Sequence, residues 1–213
     1  MDERASGIIL RTRPLTETSL IVHWLTHGHG RVATVAKGAR RPKSAFRGKL
    51  DIFYQADFSF QRSRRSELHN LHEVSLRETH AALRSDIGRV QQAAYAVALI
   101  EQTTETETPL DEVYDLMLGF VQHLAMNGAK PANVLAFELK LLELLGQSPQ
   151  PEEIKMGRSA QALMAALQDC EWAQLAEAEL TVQHISELRQ FLHGFLIYHL
   201  DRIPRGRNAA IEA

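Results

Sequence analysis

The chain has 213 residues, with 24 Lys and Arg, 26 Asp and Glu and a single cysteine. A formal net charge of -2 argues against a polyanion-binding protein if the charge is spread evenly over one body. One cysteine excludes an intramolecular disulfide and a zinc site built from several cysteines. The polar start 1–4 is unlike a secretory signal, and no apolar run approaches the roughly 18 residues that span a bilayer. We therefore expect a cytoplasmic protein with no membrane partner.

The first 76 residues show the two-residue period of β-strands. Leu20, Val22 and Trp24 alternate onto one face, and the turn at 26–30 predicts a hairpin with the next strand. Because Phe58 also alternates with polar neighbours, it is expected in the core with Trp24. No helical crossover separates the strands, so a small closed barrel or a sandwich is expected. The predicted strands are 7–13, 19–25, 31–37, 52–60 and 67–76.

From Glu78 onward, apolar residues recur at the three- and four-residue spacing of amphipathic helices. Thr108 is the expected N-cap of one helix, Cys170 is expected to be buried on another, and Arg202, Arg205 and Arg207 are expected to form a basic tail. The second half is therefore predicted to be a helical bundle. The predicted helices are about 90–101, 108–127, 131–145, 159–167 and 182–200.

The sign of the net charge changes near residue 80, where the hydrophobic period also changes from two residues to that of a helix. Residues 1–80 hold 14 Lys and Arg against 8 Asp and Glu, whereas residues 81–213 hold 10 against 18. The coincidence of the two changes favours two domains, residues 1–78 and residues 79–213. The near-neutral total thus hides a basic module followed by an acidic one.

A run of cations without acids marks the basic module. No acidic residue stands between Glu17 and Asp51, although seven Lys and Arg do. Like charges repel, so the run is costly unless a polyanion such as a phosphate backbone neutralises it; the alternative is a merely solvated surface. The first candidates for phosphate contacts are Lys37, Arg40, Arg41, Lys43, Arg47 and Lys49. The second group is Arg11, Arg13, Arg31, Arg62, Arg64 and Arg65.

Other chemistry is weakly supported by the residues. Phe46 lies inside the basic run and is the candidate for stacking on a base. No third ligand accompanies His27 and His29, or His69 and His72, so turn and surface histidines are favoured over a metal site. The acidic residues of 105–115 fit a helix start, and a magnesium-dependent nuclease site is the alternative. No catalytic constellation or cofactor is therefore predicted.

Four segments together resemble the bacterial recombination mediator family RecO. They are ILRTRPLTETSL at 9–20, THGHGRVATVAKGARR at 26–41, FELKLLELLG at 137–146 and the closing helix at 188–200. The resemblance implies an α+β protein with an N-terminal OB-fold followed by a helical domain. It also implies binding of single- and double-stranded DNA, annealing of complementary strands, and loading of RecA, together with RecR, onto DNA coated by single-stranded-DNA-binding protein. A bacterial cytoplasmic location at the nucleoid follows from that role.

The chain departs from the family pattern after Gly146. Many members carry there a zinc-ribbon-like insertion with paired cysteines, whereas residues 147–181 hold one cysteine, so no zinc site is carried over. The acidic helical half would repel DNA and is expected to dock RecR and the acidic tail of single-stranded-DNA-binding protein. An RNA- or ribosome-associated OB protein is the rival function. Cations that could meet the acidic tail are Lys140, Arg189, Arg202 and Arg205.

Overall fold

The protein is described by a computed structural model that covers residues 2–150, 154, 156–178 and 180–213. The chain divides into two compact units. The barrel unit comprises the chain up to His80 together with Thr104–Asp115, and the helical unit comprises Ala81–Thr103 and the chain from Leu116 onward. Thr104–Asp115 thus belongs to the barrel unit although it is distant from residue 80 in the sequence. The two domains expected from the sequence, residues 1–78 and 79–213, stay a prediction.

The barrel unit is built on a five-stranded closed barrel in the order β1-β2-β3-β5-β4. The pairs are antiparallel except for β3 with β5, which is parallel. Closure leaves no open sheet edge, and this is the architecture of an OB-fold, as predicted. The strands are β1 Asp2–Pro14, β2 Leu20–Thr26, β3 Gly30–Ala36, β4 Gln55–Gln61 and β5 Leu68–Glu78.

An aromatic pair fills the middle of the barrel. Trp24 stacks on Phe58 with ring centroids 4.1 Å apart, and both side chains are buried. The indole Nε1 of Trp24 donates a hydrogen bond of 2.9 Å to Thr34 Oγ1, so its polar atom is satisfied inside the core. The predicted core positions of Trp24 and Phe58 are confirmed.

Two strand boundaries, the starts of β1 and β4, differ from the prediction by at least three residues, and the others lie within two residues of it. β1 begins at Asp2 because Asp2–Ile8 pair with β4, although these residues show no clear alternation. β4 begins only at Gln55, since Phe53 has a φ of 65° and donates its N–H to Ile9 O at 2.7 Å. Backbone pairing, rather than side-chain period, decides both boundaries.

The remaining chain is helical, and most predicted helices lie within a few residues of the observed ones. No helix in the described part of the chain is long and apolar enough to cross a membrane. Helix α2 begins at Asp111, so Thr108 is not its N-cap. The elements are a 3-10 turn at Ala81–Ser85, then α1 Ile87–Thr103, α2 Asp111–Asn127, α3 Pro131–Leu144, α4 Arg158–Asp169, α5 Trp172–Leu175, α6 Val182–Leu200 and α7 Arg207–Ile211.

A buried ion pair joins the C-terminal helix to the helical core, which overturns the prediction of a basic tail for Arg207. The Glu138 carboxylate is fully buried and accepts hydrogen bonds from Arg207 Nε at 2.6 Å and from Arg207 Nη2 at 2.8 Å. Tyr95 also donates to Glu138, and burial raises the pKa of its hydroxyl well above the ordinary value. Cys170 was expected to be buried on a helix, but it is half-buried and ends α4.

Candidate nucleic-acid interface

The basic loop, residues 37–54 between β3 and β4, is folded as a chain of tight turns. Backbone bonds of 3.0 to 3.2 Å link residues three apart, from Arg41 N–H to Gly38 O and from Ser44 N–H to Arg41 O, and the pattern continues to Lys49. A left-handed φ of 69° at Gly38 starts this path, and glycine adopts it without strain. The cations of the basic loop are therefore held on an ordered backbone.

Apolar side chains fix the basic loop to the barrel. Ala39, Phe46 and Leu50 pack against the barrel core, on the cluster that contains Trp24 and Phe58. Because these apolar anchors face the barrel, the cations between them are displaced toward solvent. Arg40 also donates from its backbone to Thr18 O at 3.0 Å, which ties the basic loop to the turn between β1 and β2.

The arginine groove is the depression, about 360 Å³ in volume, formed by the basic loop and Leu20. Arg40, Arg41 and Arg47 are exposed along it. None of these three guanidinium groups, nor Lys37 or Lys43, forms an ion pair with a carboxylate of the described residues. A cationic groove with charges left unneutralised by the protein is suited to a phosphate backbone.

Phe46 lines both the arginine groove and a larger mixed groove of about 740 Å³. It is half-buried, so one part of the ring packs on the barrel core while another part faces the grooves. The mixed groove also contains Asp57 and Glu73, whose charges repel phosphate. Lys49, the last predicted cation of the basic loop, also lines it and donates to Val74 O at 3.0 Å.

Two cations of the second group are engaged by the protein itself. Arg31 donates from Nε to Thr104 Oγ1 at 2.9 Å and from Nη2 to Thr104 O at 2.5 Å. Arg62 forms ion pairs with Glu3, at 2.9 Å, and with Glu107. Its hydrogen bond lowers the pKa of Glu3 below the ordinary value. The guanidinium groups of Arg31 and Arg62 are thus both held by partners within the barrel unit.

The other members of the second group lie at two places on the barrel. Arg64 and Arg65 are exposed in the turn between β4 and β5, beyond Arg62. Arg11 and Arg13 lie on the last residues of β1, with Arg11 half-buried and Arg13 exposed. β1 runs into the turn that hydrogen-bonds Arg40, so this strand end and the basic loop are joined by hydrogen bonds.

The acidic strap, residues 104–108, is the part of the barrel unit that sequence reasoning missed. Thr106 forms an isolated parallel β-bridge with Arg31, and the Glu107 N–H donates to Arg31 O at 2.9 Å. Just beyond the strap, Asp111 accepts a hydrogen bond of 2.7 Å from the Gly28 N–H. The strict alternation of Thr and Glu over 104–108 was the available signal, since it is the two-residue period of an extended chain.

The two histidines of β5 differ in burial and in contacts. His72 is exposed as predicted, but His69 is buried on the opposite side of β5, so its prediction as a surface histidine is wrong. His69 stacks on Phe60 with centroids 5.4 Å apart. Among the described residues, no group of three or more His, Cys, Asp or Glu side chains is arranged to hold a metal ion.

Two of the cations predicted to meet the acidic tail, Lys140 and Arg189, already bind groups within the helical unit. Lys140 donates to Gln168 O at 2.6 Å and to Cys170 O at 2.7 Å, and so caps the end of α4. Arg189 donates to Asn208 and forms a 2.9 Å ion pair with Glu212. Arg202 and Arg205 are exposed.

A closed barrel of this strand order, with a cationic loop between its third and fourth strands and helices after it, defines an OB-fold protein with a helical domain. Residues 1–80 match the family described as Recombination protein O N terminal, and residues 84–153 match Recombination protein O C terminal. The chain belongs to the RecO family of DNA repair and recombination proteins. This is a family of recombination mediators and not a known class of enzyme.

Curated relatives named DNA repair protein RecO are similar over much of the chain. One from Anaeromyxobacter sp. strain K is 27% identical over 233 aligned positions, which cover 93% of this chain and 92% of the relative. One from Bacillus pumilus is 30% identical over 70% of this chain and 58% of its own length. One from Streptomyces avermitilis is 38% identical over 68% of this chain and 62% of its own length.

Proposed function

We propose that this protein binds single- and double-stranded DNA through the basic loop and anneals complementary strands. With RecR, it helps to load RecA onto DNA coated by single-stranded-DNA-binding protein. The observation that carries the DNA-binding step is the arginine groove, where Arg40, Arg41 and Arg47 are exposed without a carboxylate partner among the described residues. Family membership supports the repair role, and with that role we propose a location at the bacterial nucleoid in the cytoplasm.

Annealing follows from charge neutralisation. Two DNA strands repel each other through their phosphates, and a protein that binds both lowers that repulsion. The basic loop supplies one cationic surface. Arg13, Arg64 and Arg65 supply others on the same small barrel unit, which supports simultaneous contact with two strands. Phe46 lies at the junction of two grooves, and this position supports its proposed stacking on an unpaired base.

The proposed role requires no covalent chemistry, so we expect no enzymatic activity and no cofactor. A single assay separates the rivals: fluorescently labelled complementary DNA strands are mixed with the protein, with and without magnesium. Faster duplex formation without cleavage products supports the proposal, whereas magnesium-dependent cleavage supports a nuclease. Tighter binding to RNA than to DNA of the same sequence, with no annealing, would favour the RNA-binding alternative.

Replacing Arg40, Arg41 and Lys43 together by alanine should weaken binding of single-stranded DNA and flatten its salt dependence. Each lost phosphate contact removes about 0.7 from the slope of log affinity against log salt, so three contacts remove about 2. Fluorescence anisotropy of a labelled oligonucleotide between 50 and 400 mM salt measures the slope.

The matched control is the triple alanine variant of Arg158, Arg202 and Arg205. These are three exposed arginines of the helical unit, so the variant makes the same change in total charge. Its slope should equal that of the wild type. An unchanged slope for the basic-loop variant, or an equal loss in both variants, would contradict the assignment of the interface.

The helical unit is the proposed docking body for RecR and for the acidic tail of single-stranded-DNA-binding protein. Because Lys140 and Arg189 are held by internal partners, Arg202 and Arg205 are the better candidates for the tail. Titration of a labelled tail peptide at low salt, with the Arg202→Ala and Arg205→Ala double variant beside it, tests this. If the wild-type protein does not bind the peptide, the acidic tail is not a partner of this protein.

A further inference from the structure

The acidic strap brings a carboxylate onto the second basic turn of the barrel unit, residues 62–67 between β4 and β5. Glu107 of the strap pairs with Arg62 Nη1, while Glu3 of β1 accepts from Arg62 Nε at 2.9 Å and from Nη2 at 3.2 Å. Arg62 is therefore surrounded by two carboxylates. The summed formal charge of Arg62, Glu3 and Glu107 is therefore -1, although the turn itself carries three arginines.

His69 couples the same carboxylate to the backbone of the turn. Its Nδ1 accepts a hydrogen bond of 3.2 Å from the Ser63 N–H, and its Nε2 lies 2.8 Å from Glu107 Oε1. The Nε2 contact is close but not aligned as a hydrogen bond. Nδ1 thus faces the turn, and Nε2 is the ring nitrogen that faces Glu107. Glu107 thus meets the turn through Arg62 and, by way of His69, through Ser63.

The backbone of the strap places Glu107 where it meets Arg62. The Glu107 N–H donates to Arg31 O at 2.9 Å, and Arg31 in turn donates to Thr104 Oγ1 and O. Glu107 has a φ of 56°, a left-handed conformation that is unusual for a residue with a side chain. Such a conformation persists only where surrounding contacts impose it. Arg31 and Arg62, both predicted to bind phosphate, contact Glu107 through its backbone N–H and its carboxylate respectively.

We propose that the acidic strap is an internal competitor of DNA, in which the Glu107 carboxylate occupies on Arg62 the place that a DNA phosphate would take. This inference rests on the proposed function and adds to it a second, masked anion-binding face formed by Arg62 with Arg64 and Arg65. A carboxylate and a phosphate bind a guanidinium through the same hydrogen bonds, so one can replace the other.

The ion pair between Arg62 and Glu107 is weak enough for a DNA phosphate to displace the carboxylate. The side chains of Arg62 and Glu107 are 38% and 32% exposed, and ion pairs at such positions contribute little and are screened by salt. Glu3 keeps its own two bonds to Arg62 when Glu107 leaves, so the guanidinium stays oriented. Only a side chain has to move, and the backbone bonds of the strap remain.

The Glu107→Gln variant tests the proposal, because it removes the charge and keeps the size of the side chain. We expect it to bind an oligo(dT) strand several-fold more tightly than the wild type at 50 mM salt, with a salt slope steeper by about 0.7. That slope predicts that the gain in affinity shrinks by about 2.6-fold between 50 and 200 mM salt. Fluorescence anisotropy measures both quantities.

Glu105→Gln is the matched control. Glu105 is exposed on the same strap and forms no ion pair with a described residue, so the variant changes total charge equally and releases no arginine. It should bind like the wild type. In the Glu107→Gln background, Arg62→Gln should abolish the gain, whereas in the wild-type background Arg62→Gln should have a much smaller effect.

Each outcome decides the question. Equal affinity of the Glu105→Gln and Glu107→Gln variants would overturn the internal competitor and leave the proposed function standing, provided that the wild type binds. A gain that survives Arg62→Gln would also overturn it, since the released cation would not be Arg62. Failure of the wild type to bind DNA at 50 mM salt would overturn the proposed function and this inference together.

Discussion

Replacing Glu138 by glutamine is expected to destabilise the helical unit by about 3–5 kcal/mol. Arg207 is only 3% exposed, and its guanidinium would remain buried without a countercharge. Burial disfavours the charged form of Arg207, yet the hydrogen bonds to Glu138 outweigh it and raise the pKa of Arg207. The loss should appear as a lower urea midpoint of the helical signal in circular dichroism.

The control for this result is Glu143→Gln, an exposed carboxylate on the same helix α3. It should change stability by less than about 0.5 kcal/mol, as surface substitutions usually do. Replacing the whole cluster by apolar residues, with Tyr95→Phe, Glu138→Leu and Arg207→Met, should recover most of the loss, because no charge is then left unpaired. A Glu138→Gln variant as stable as Glu143→Gln would show that the pair does not hold α7 in place.

Replacing Gly30 by alanine should destabilise the barrel unit by about 2–5 kcal/mol. Gly30 has a φ of 67°, and an added Cβ would lie 2.0 Å from the backbone oxygen of Thr108. A left-handed conformation costs a residue with a side chain about 1–2 kcal/mol, and forcing atoms into filled space costs about 1–3 kcal/mol more. Thermal unfolding followed by Trp24 fluorescence, in a Trp172→Phe background, measures the loss.

Gly28→Ala separates the two causes. Gly28 has a φ of 86°, but no atom lies within 4 Å of its added Cβ. Only the conformational cost of about 1–2 kcal/mol should therefore appear. If the two variants lose equal stability, the close approach of the chain at Thr108 to the start of β3 is not present in solution.

Much of the fold follows from local sequence pattern. The alternation of Leu20, Val22 and Trp24 and the glycine turn after them predict the hairpin, because a half-buried strand needs one apolar face. The spacing of apolar residues likewise predicts α3 and α6, with Pro131 at the start of α3 and Gly146 just beyond its end. The positions of these elements are confirmed because each depends on contacts close in sequence or on one repeated face.

The candidate interface is only partly visible in the sequence. The run of seven cations without an acid predicts the basic loop, because it can be recognised from the sequence alone. Sequence could not show that Arg31 and Arg62 are held by Thr104, Glu3 and Glu107, because those partners lie 73, 59 and 45 positions away. Long-range pairing of this kind is decided by how the chain closes on itself.

The sequence by itself determined the order of the five strands and of the five longest helices, the location of the basic loop and the family. Tertiary structure decided which charges remain available. Arg207 looks like part of a basic tail, yet it is buried against Glu138, whereas Arg40 and Arg41 stay exposed because apolar residues on either side of them anchor the basic loop. The physical reason is that a charge is neutralised by whatever lies within a few ångströms of it, and that distance is set by the folded chain.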